Sequence, residues 1–307
     1  MAAGRQVQGQ LPGQRFIEPG VLARIDNLEL IARVVVDGFV SGLHRSPMLG
    51  MSVDFAEHRS YMPGDDVRRI DWRLFARTDR LYVKEFEADT NTNLHLLLDV
   101  SGSMSFGSGD ITKLDYARFL AASLAYLSRQ QRDRIGLTTF ADDIVEMVPP
   151  SIKHFNHVLH ALDLAEARGP GRYREPLARI ALNLGRRGVV ALISDLYDTP
   201  ENLLSAIDQL RYRGNDLIVF HVLDPQELSL ELGDISSVED IETGAQLPVE
   251  AAQYRDQYRQ LVSEHRNSLE RLLGANRIDY VFADTSQPLD EVLFRYLSDR
   301  ERQNRTR

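Results

Sequence analysis

"LLLDVSGSMSFGSG", residues Leu96–Gly109, joins an apolar run to a loop of serines and glycines that follows a single carboxylate, Asp99. A short run of this kind is typical of a parallel strand that is buried on both faces. The following "KLDYARFLAASLAYL" repeats apolar residues at spacings of three and four, which predicts an amphipathic helix with Asp110 as its N-cap. The stretch therefore predicts a strand, a loop and a helix in succession.

The chain beyond residue 93 repeats this alternation of strand and helix. The apolar runs "RIGLTTF", "VVALISD", "DLIVFHVLD" and "IDYVFAD" are separated by segments of helical period. The pair "RIGLTTF" and "IVEMVP", joined by "ADD", predicts a hairpin that adds an antiparallel edge strand. The pattern predicts an α/β fold in which a doubly wound, mainly parallel sheet carries helices on both faces over residues 93–299.

The segments outside this alternation differ in composition. Residues 1–41 predict a loose tail followed by an amphipathic helix, and residues 300–307 a second tail. Residues 42–92 combine short strand-like pieces with interleaved charges of both signs, which predicts a small β-rich module ahead of the sheet. Residues 227–249 are rich in turn residues and predict a loop with a small hairpin.

Composition restricts the classes of partner and chemistry. The 307-residue chain has a net charge of −9, so it offers no bulk positive field for nucleic acid or an anionic membrane. It contains no cysteine, which excludes disulfides, thiolate zinc sites and cysteine nucleophiles and is in keeping with a reducing cytoplasm. The apolar run at residues 30–43 is too short to span a bilayer. We therefore expect a cytoplasmic protein without a transmembrane segment.

Four oxygen-bearing side chains are expected to meet at one end of the sheet. In an open parallel sheet, ligands bind beyond the carboxyl ends of the strands, where the strand order reverses. If the order is 3-2-1-4-5-6, the strands that end near Asp99 and Asp195 are neighbours, and Asp99, Ser101, Ser103 and Asp195 converge. Carboxylates and hydroxyls suit Mg²⁺ or Mn²⁺. Alternatively, "SGS" is only a flexible connection between the strand and the helix.

These motifs resemble a known family. The D-x-S-x-S loop, the helix after it, "DRIGLTTFAD" and the later "LISD" look like a von Willebrand factor type A domain with its metal-ion-dependent adhesion site. The upstream block at residues 42–89, including "YMPGDDVRRIDWRLFARTDRLYVKEF", resembles the signature of the bacterial family known as domain of unknown function 58. The resemblance implies a Rossmann-like fold, protein binding that depends on a divalent metal, and association with MoxR-type AAA+ ATPases.

The sequence departs from the family pattern at one metal ligand. A threonine is expected in a G-G-T-like segment, but this chain has "GPGRYREPL", with Gly171 in the threonine's place. Several alternatives follow. Water or Glu175 completes the site, the metal binds weakly, or the metal has been lost.

The upstream block is a further candidate for binding. Its acidic and basic residues alternate and nearly cancel, so a network of arginine and carboxylate pairs explains it better than a nucleic-acid surface. A face that docks a partner protein is also compatible with this pattern. The candidate partner-binding residues are Arg59, Asp65, Asp66, Arg69, Asp71, Trp72 and Arg77.

Three functions remain open at this point. The leading hypothesis is a non-catalytic, metal-dependent adaptor that works with a MoxR-type ATPase on a client protein. The second is a metal-free interaction scaffold, in which Asp99 and Asp195 only cap loops. The third is a metal-dependent hydrolase, against which the chain lacks a G-x-S-x-G elbow, a phosphate-binding loop and any cysteine.

Overall fold

The computed structural model describes residues 18–45, 58–60, 80, 82–84, 92–185, 187–230, 237–239, 246–248 and 251–296. The strands within these ranges are β1 His58–Ser60, β2 Tyr82–Lys84, β3 Asn93–Asp99, β4 Arg134–Phe140, β5 Ile144–Ser151, β6 Gly188–Ser194, β7 Asp216–Leu223, β8 Ser237–Glu239, β9 Gln246–Pro248 and β10 Asp279–Asp284.

The α-helices of the same ranges are α1 Pro19–Leu22, α2 Leu28–Arg45, α3 Lys113–Gln130, α4 Phe155–Asp163, α5 Arg174–Asn183, α6 Pro200–Asp208, α7 Pro225–Ser229, α8 Ala251–Ala275 and α9, residues 289–296. Short 3₁₀ turns cover Gly102–Ser105, Ile152–His154 and Gln209–Arg213.

Six strands form the central sheet, in the order β5-β4-β3-β6-β7-β10. All neighbouring pairs are parallel except β4 and β5, which are antiparallel. The order confirms the predicted doubly wound sheet and its antiparallel edge strand. Since β3 lies between β4 and β6, the chain reverses its direction of travel across the sheet at β3.

Alternate residues of β3 explain why both faces of the sheet are covered. Leu96 and Leu98 belong to the apolar cluster that includes α2, α3 and α4, whereas Leu97 belongs to the cluster that includes α5, α6 and α8. All three leucines are fully buried. Because successive side chains of a strand point to opposite faces, one continuous apolar run supplies both cores.

The helix after the D-x-S-x-S loop of residues 99–103 starts later than its predicted cap. We expected Asp110 to cap it, but the N-cap is Thr112, whose hydroxyl accepts a hydrogen bond from the Asp115 amide at 3.0 Å. The Asp115 carboxylate accepts in return from the Thr112 amide at 3.0 Å. This reciprocal capping box satisfies two donors at the helix start, and Asp110 lies exposed on the preceding turn.

Two predicted features outside the central sheet are observed. The predicted early helix is α2, whose residues Ile31, Val35 and Phe39 are buried in the same cluster as α3. Strands β8 and β9 pair antiparallel and form the hairpin that was predicted between residues 227 and 249.

The predicted β-rich module is described only in part. Strands β1 and β2 pair antiparallel, and most other residues between 46 and 91 lie outside the described ranges, so the extent of the module stays a prediction. Within the part of the chain that is described, no helix combines the length and the apolar character needed to cross a bilayer.

Candidate metal centre

Asp99 is the last residue of β3, and its carboxylate is held firmly in place. The side chain is fully buried. Its Oδ1 accepts a hydrogen bond from the Ser101 amide at 2.8 Å, and its Oδ2 accepts one from the Ser194 hydroxyl at 2.7 Å. The loop therefore turns around the carboxylate immediately after the strand ends.

The hydroxyls of Ser101 and Ser103 lie side by side next to this carboxylate. Their Oγ atoms are 3.1 Å apart. Ser101 is buried and Ser103 is partly exposed, so the two hydroxyls lie one in the interior and one near the surface. The intervening Gly102 donates its amide to the Gly169 carbonyl at 2.8 Å, which holds the loop against the segment that precedes α5. The predicted convergence of Asp99, Ser101 and Ser103 is thus observed.

Asp195 follows β6, the strand beside β3, and its side chain is buried. One carboxylate oxygen, Oδ1, has no hydrogen-bond partner among the described residues. The next residue, Leu196, has a φ of 54°, a left-handed conformation that costs a residue with a Cβ about 1 kcal/mol or more. Backbone strain of this kind clusters at functional sites, where the surrounding structure maintains it.

The electrostatics of the crevice favour a cation. Burial and, after it, the nearby charge of Asp195 together raise the pKa of Asp99 to about 6, against the hydrogen bonds from Ser194 and Ser101, which lower it. A divalent cation bound at these carboxylates would stabilise their charged forms and so oppose both causes of that rise. The donor set and the unpartnered oxygen of Asp195 therefore fit the metal that the family resemblance implies.

Lys113 is a residue beside the candidate site that the sequence analysis missed. Its side chain is fully buried, and its Nζ donates to Asp195 Oδ2 at 2.7 Å and to Glu227 Oε1 at 2.6 Å. The one available signal was compositional, because Lys113 is one of only three lysines among 36 basic residues. Nothing in the sequence connects it to Glu227.

Counting formal charges across this cluster gives a simple result. Asp99, Asp195 and Glu227 contribute three negative charges, and Lys113 contributes one positive charge, which leaves a net charge of −2. One divalent cation balances that charge.

Tyr173 is a second residue that was missed, and it lies near the position of the absent threonine. Gly171 brings no side-chain oxygen, but the Tyr173 hydroxyl lies 3.3 Å from Asp99 Oδ2 and 3.1 Å from the Ser194 hydroxyl. Tyr173 is buried, whereas Glu175, the alternative ligand, is exposed on the first turn of α5. A tyrosine hydroxyl therefore supports Asp99 here.

The other candidate residues belong to the upstream block. Arg59 lies in β1, and the remaining candidate partner-binding residues fall outside the described ranges: Asp65, Asp66, Arg69, Asp71, Trp72 and Arg77. No three side chains of His, Asp or Glu come together as a metal-binding group in the described part of the chain. A metal at Asp99 would accordingly depend on the serine hydroxyls and on water.

The fold and the site together define the class of protein. The strand order, the antiparallel edge strand and the D-x-S-x-S loop at the point of reversal are those of a von Willebrand factor type A-like domain. The chain belongs to the family described as protein of unknown function DUF58, whose model matches residues 57–268.

Similar proteins are found among sequences and among structures. The uncharacterised protein Rv1480 of Mycobacterium tuberculosis is 27% identical over 294 residues, covering 93% of this chain and 91% of that protein. An aerotolerance-related membrane protein from Bacteroides fragilis matches 68% of this chain and 99% of its own, with 14% identity and a TM-score of 0.48. The SpRpn10 VWA domain matches 66% of this chain and 93% of its own, with 13% identity and a TM-score of 0.39. Since both TM-scores are below 0.5, the fold assignment rests on the sheet topology.

Proposed function

We propose that this protein is a non-catalytic adaptor that captures a carboxylate of a partner protein through Mg²⁺ or Mn²⁺ held by Asp99, Ser101, Ser103 and Asp195. The observation that carries the proposal is the buried Asp195 Oδ1, which has no partner among the described residues and belongs to a carboxylate whose charge acts on Asp99. An unpaired buried carboxylate oxygen is costly, and a cation offsets that cost.

Each residue of the site has a definite task in this proposal. The Ser101 amide and the Ser194 hydroxyl orient Asp99, and the hydroxyls of Ser101 and Ser103, 3.1 Å apart, are the further oxygen ligands that we assign to the ion. Ser103 is partly exposed, so a partner's side chain can approach from that side. When bound, the divalent cation supplies a positive charge and a coordination position that a carboxylate can fill.

The first test is the melting temperature of the protein, stripped with EDTA and then titrated with Mg²⁺ and with Mn²⁺. A ligand that binds only the folded state raises the melting temperature in a saturable way. We expect such a rise in the wild type and none in Asp99→Ala. Equal responses of the two proteins would contradict the proposed ligand set.

The identity of the partner is a separate prediction that rests on the family resemblance. We propose that a MoxR-type AAA+ ATPase and its client bind this chain in the cytoplasm. In a pull-down with the purified ATPase of the same organism, we expect retention in Mg²⁺ and release in EDTA. Retention that is insensitive to both EDTA and Asp99→Ala would exclude the metal from this interaction.

A metal-free scaffold is the second candidate, and the ion pair between Lys113 and Asp195 favours it. The Lys113 ammonium already pairs with the Asp195 carboxylate and offsets its charge, so the fold does not depend entirely on a metal. This alternative predicts no thermal shift with either ion. The absence of catalysis stays a prediction, and metal-dependent hydrolysis of phosphate or ester substrates that is lost in Asp99→Ala would contradict it.

A further inference from the structure

We propose that Lys113 is a built-in cation of this site that competes with the divalent ion for Asp195, and that Glu227 sets the strength of this competition. The inference deepens the proposed function, because it concerns the affinity of the same metal centre. It assigns a regulatory role to a buried lysine and to a glutamate at the start of α7, neither of which belongs to the ligand set.

The position of Lys113 is fixed by the backbone as well as by its charge. It is the first residue of α3, directly after the Thr112 cap, and its amide donates to the Phe106 carbonyl at 2.8 Å. Its side chain is fully buried, so the ammonium cannot turn out to water without local rearrangement. The lysine is thus held against the end of β6 by the helix that follows the metal loop.

The ammonium is shared between two carboxylates that belong to different elements. Asp195 Oδ2 and Glu227 Oε1 accept hydrogen bonds from Nζ at 2.7 and 2.6 Å. The centroid of the Tyr197 ring lies 4.8 Å from the same nitrogen. Glu227 is itself positioned, because its Oε2 accepts from the Asp224 amide at 2.9 Å in the capping box of α7. The negative charge of Glu227 partly offsets the positive charge of Lys113, which weakens the attraction between Lys113 and Asp195.

The two carboxylate oxygens of Asp195 can therefore bind two different cations, the Lys113 ammonium and a divalent ion. Its Oδ2 is paired with Lys113, and its Oδ1 has no partner among the described residues. A divalent ion that binds at Oδ1 is attracted by the carboxylates but repelled by the ammonium on the other oxygen. Within a buried site this repulsion is only weakly screened, so it lowers the affinity for the ion.

Two substitutions change this balance in opposite directions. Lys113→Met removes the competing charge and changes the net charge of the four-residue cluster from −2 to −3, so the ion should bind more tightly. Glu227→Gln removes the negative charge of the second acceptor, so that Asp195 is the one charged partner of Lys113 in this cluster. The ion should therefore bind more weakly. Glutamine is an accepted residue at this position of a capping box, so α7 should keep its start.

The experiment is a calorimetric titration of Mn²⁺ into the full chain after treatment with EDTA. We expect Lys113→Met to bind Mn²⁺ at least tenfold more tightly than the wild type and Glu227→Gln at least tenfold more weakly, because one full charge near a divalent ion contributes about this much even at the dielectric constant of water. The double variant, which restores the net charge of −2, should bind with an affinity between those of the single variants. Lys153→Met, which changes an exposed lysine, is the matched control and should bind like the wild type.

Loss of Lys113 also leaves buried carboxylates unpaired, so the fold of the variant has to be measured alongside. We expect the melting temperature of Lys113→Met in EDTA to fall and to recover with Mn²⁺ more than that of the wild type does. If this variant does not fold, Glu227→Gln still tests the proposal, because its expected change in affinity has the opposite sign.

The possible outcomes separate this inference from the proposed function. If the wild type, Lys113→Met and Glu227→Gln all bind Mn²⁺ with the same affinity, the proposed role of Lys113 is wrong and the adaptor proposal stays intact. Binding to Lys113→Met but not to the wild type would support the competition and overturn metal-dependent capture by the natural protein. Absence of binding in every variant would overturn both.

Discussion

The hydroxyl of Tyr173 contacts the Asp99 carboxylate in a chain that has Gly171 where the family resemblance implies a threonine. It lies 3.3 Å from Asp99 Oδ2 and 3.1 Å from the Ser194 hydroxyl, inside the apolar cluster of α5 and α6. Its ring meets that of Phe140 edge to face, with 6.4 Å between the centroids. Packing thus fixes the ring, and the fixed ring places a donor on the carboxylate.

We expect Tyr173→Phe to lower the free energy of unfolding by about 1–2 kcal/mol in EDTA, because it removes the buried hydrogen bonds of this hydroxyl to Asp99 and Ser194 and preserves the ring. The same change should weaken Mn²⁺ binding by about tenfold, since partners behind a metal ligand orient it. Urea unfolding and calorimetric titration measure the two effects.

Tyr254→Phe is the control for this substitution, because Tyr254 lies exposed on α8 and far from Asp99 in sequence. It should change neither quantity. If Tyr173→Phe behaves like this control, the tyrosine only fills space in the core.

The loop that follows β3 crosses close to the start of α3, and one glycine makes this crossing possible. A Cβ on Gly107 would lie 2.3 Å from the Ile111 carbonyl oxygen and 2.8 Å from the Thr112 Cα. Both neighbours are backbone atoms, which cannot rotate away as a side chain can. The same crossing carries the backbone hydrogen bond from Lys113 to Phe106, so it connects the serines to the lysine.

We expect Gly107→Ala to lower the free energy of unfolding by about 1–3 kcal/mol, the usual cost of forcing extra volume into a packed region. Metal binding should weaken as well, because the loop and the start of α3 are pushed apart. Thermal unfolding with and without Mn²⁺ measures both effects.

Gly109→Ala is a matched control two residues away, since a Cβ there meets no atom within 4 Å. It should remain within about 0.5 kcal/mol of the wild type, as surface substitutions usually do. Equal destabilisation by the two alanines would show that general loop flexibility, and not the crossing, requires glycine.

The stability of the molecule as a whole should depend on pH through the histidines of its central sheet. Burial lowers the pKa of His95 in β3 to about 4 and that of His221 in β7 to about 3. Both rings stay neutral in the folded protein and take up a proton near pH 6.5 when the chain unfolds. Their contribution to stability is therefore complete above pH 6.5 and is lost as the pH falls towards their folded pKa values.

We expect His95 alone to account for a loss of about 2 kcal/mol in the free energy of unfolding between pH 7 and pH 5. His95→Gln, which can keep a hydrogen bond to the Thr138 hydroxyl, should lose correspondingly less over this range. Urea titrations at the two pH values measure the difference. His157→Gln, at an exposed histidine, should follow the wild type, and a parallel pH dependence of all three proteins would contradict the assignment to His95.

Local patterns in the sequence were sufficient to predict the strands and helices of the sheet domain and much of the candidate site. The apolar runs predicted the strands because a parallel strand is buried on both faces, and "ADD" predicted the turn before the edge strand. Asp99, Ser101 and Ser103 lie within one short loop, so their convergence requires only the turn of that loop. The helix start was misplaced, because Asp110 and Thr112 are both acceptable caps and only the reciprocal bonds with Asp115 decide between them.

The sequence by itself determined the doubly wound class of fold and the oxygen chemistry of the loop, because both depend on residue types and short spacings. The tertiary structure alone decided which distant residues complete the crevice. Lys113 meets Asp195 and Glu227 across separations of 82 and 114 residues, and Tyr173 meets Asp99 across 74. Such contacts follow from the order in which strands and helices pack, and no local period or spacing encodes that order for an individual side chain.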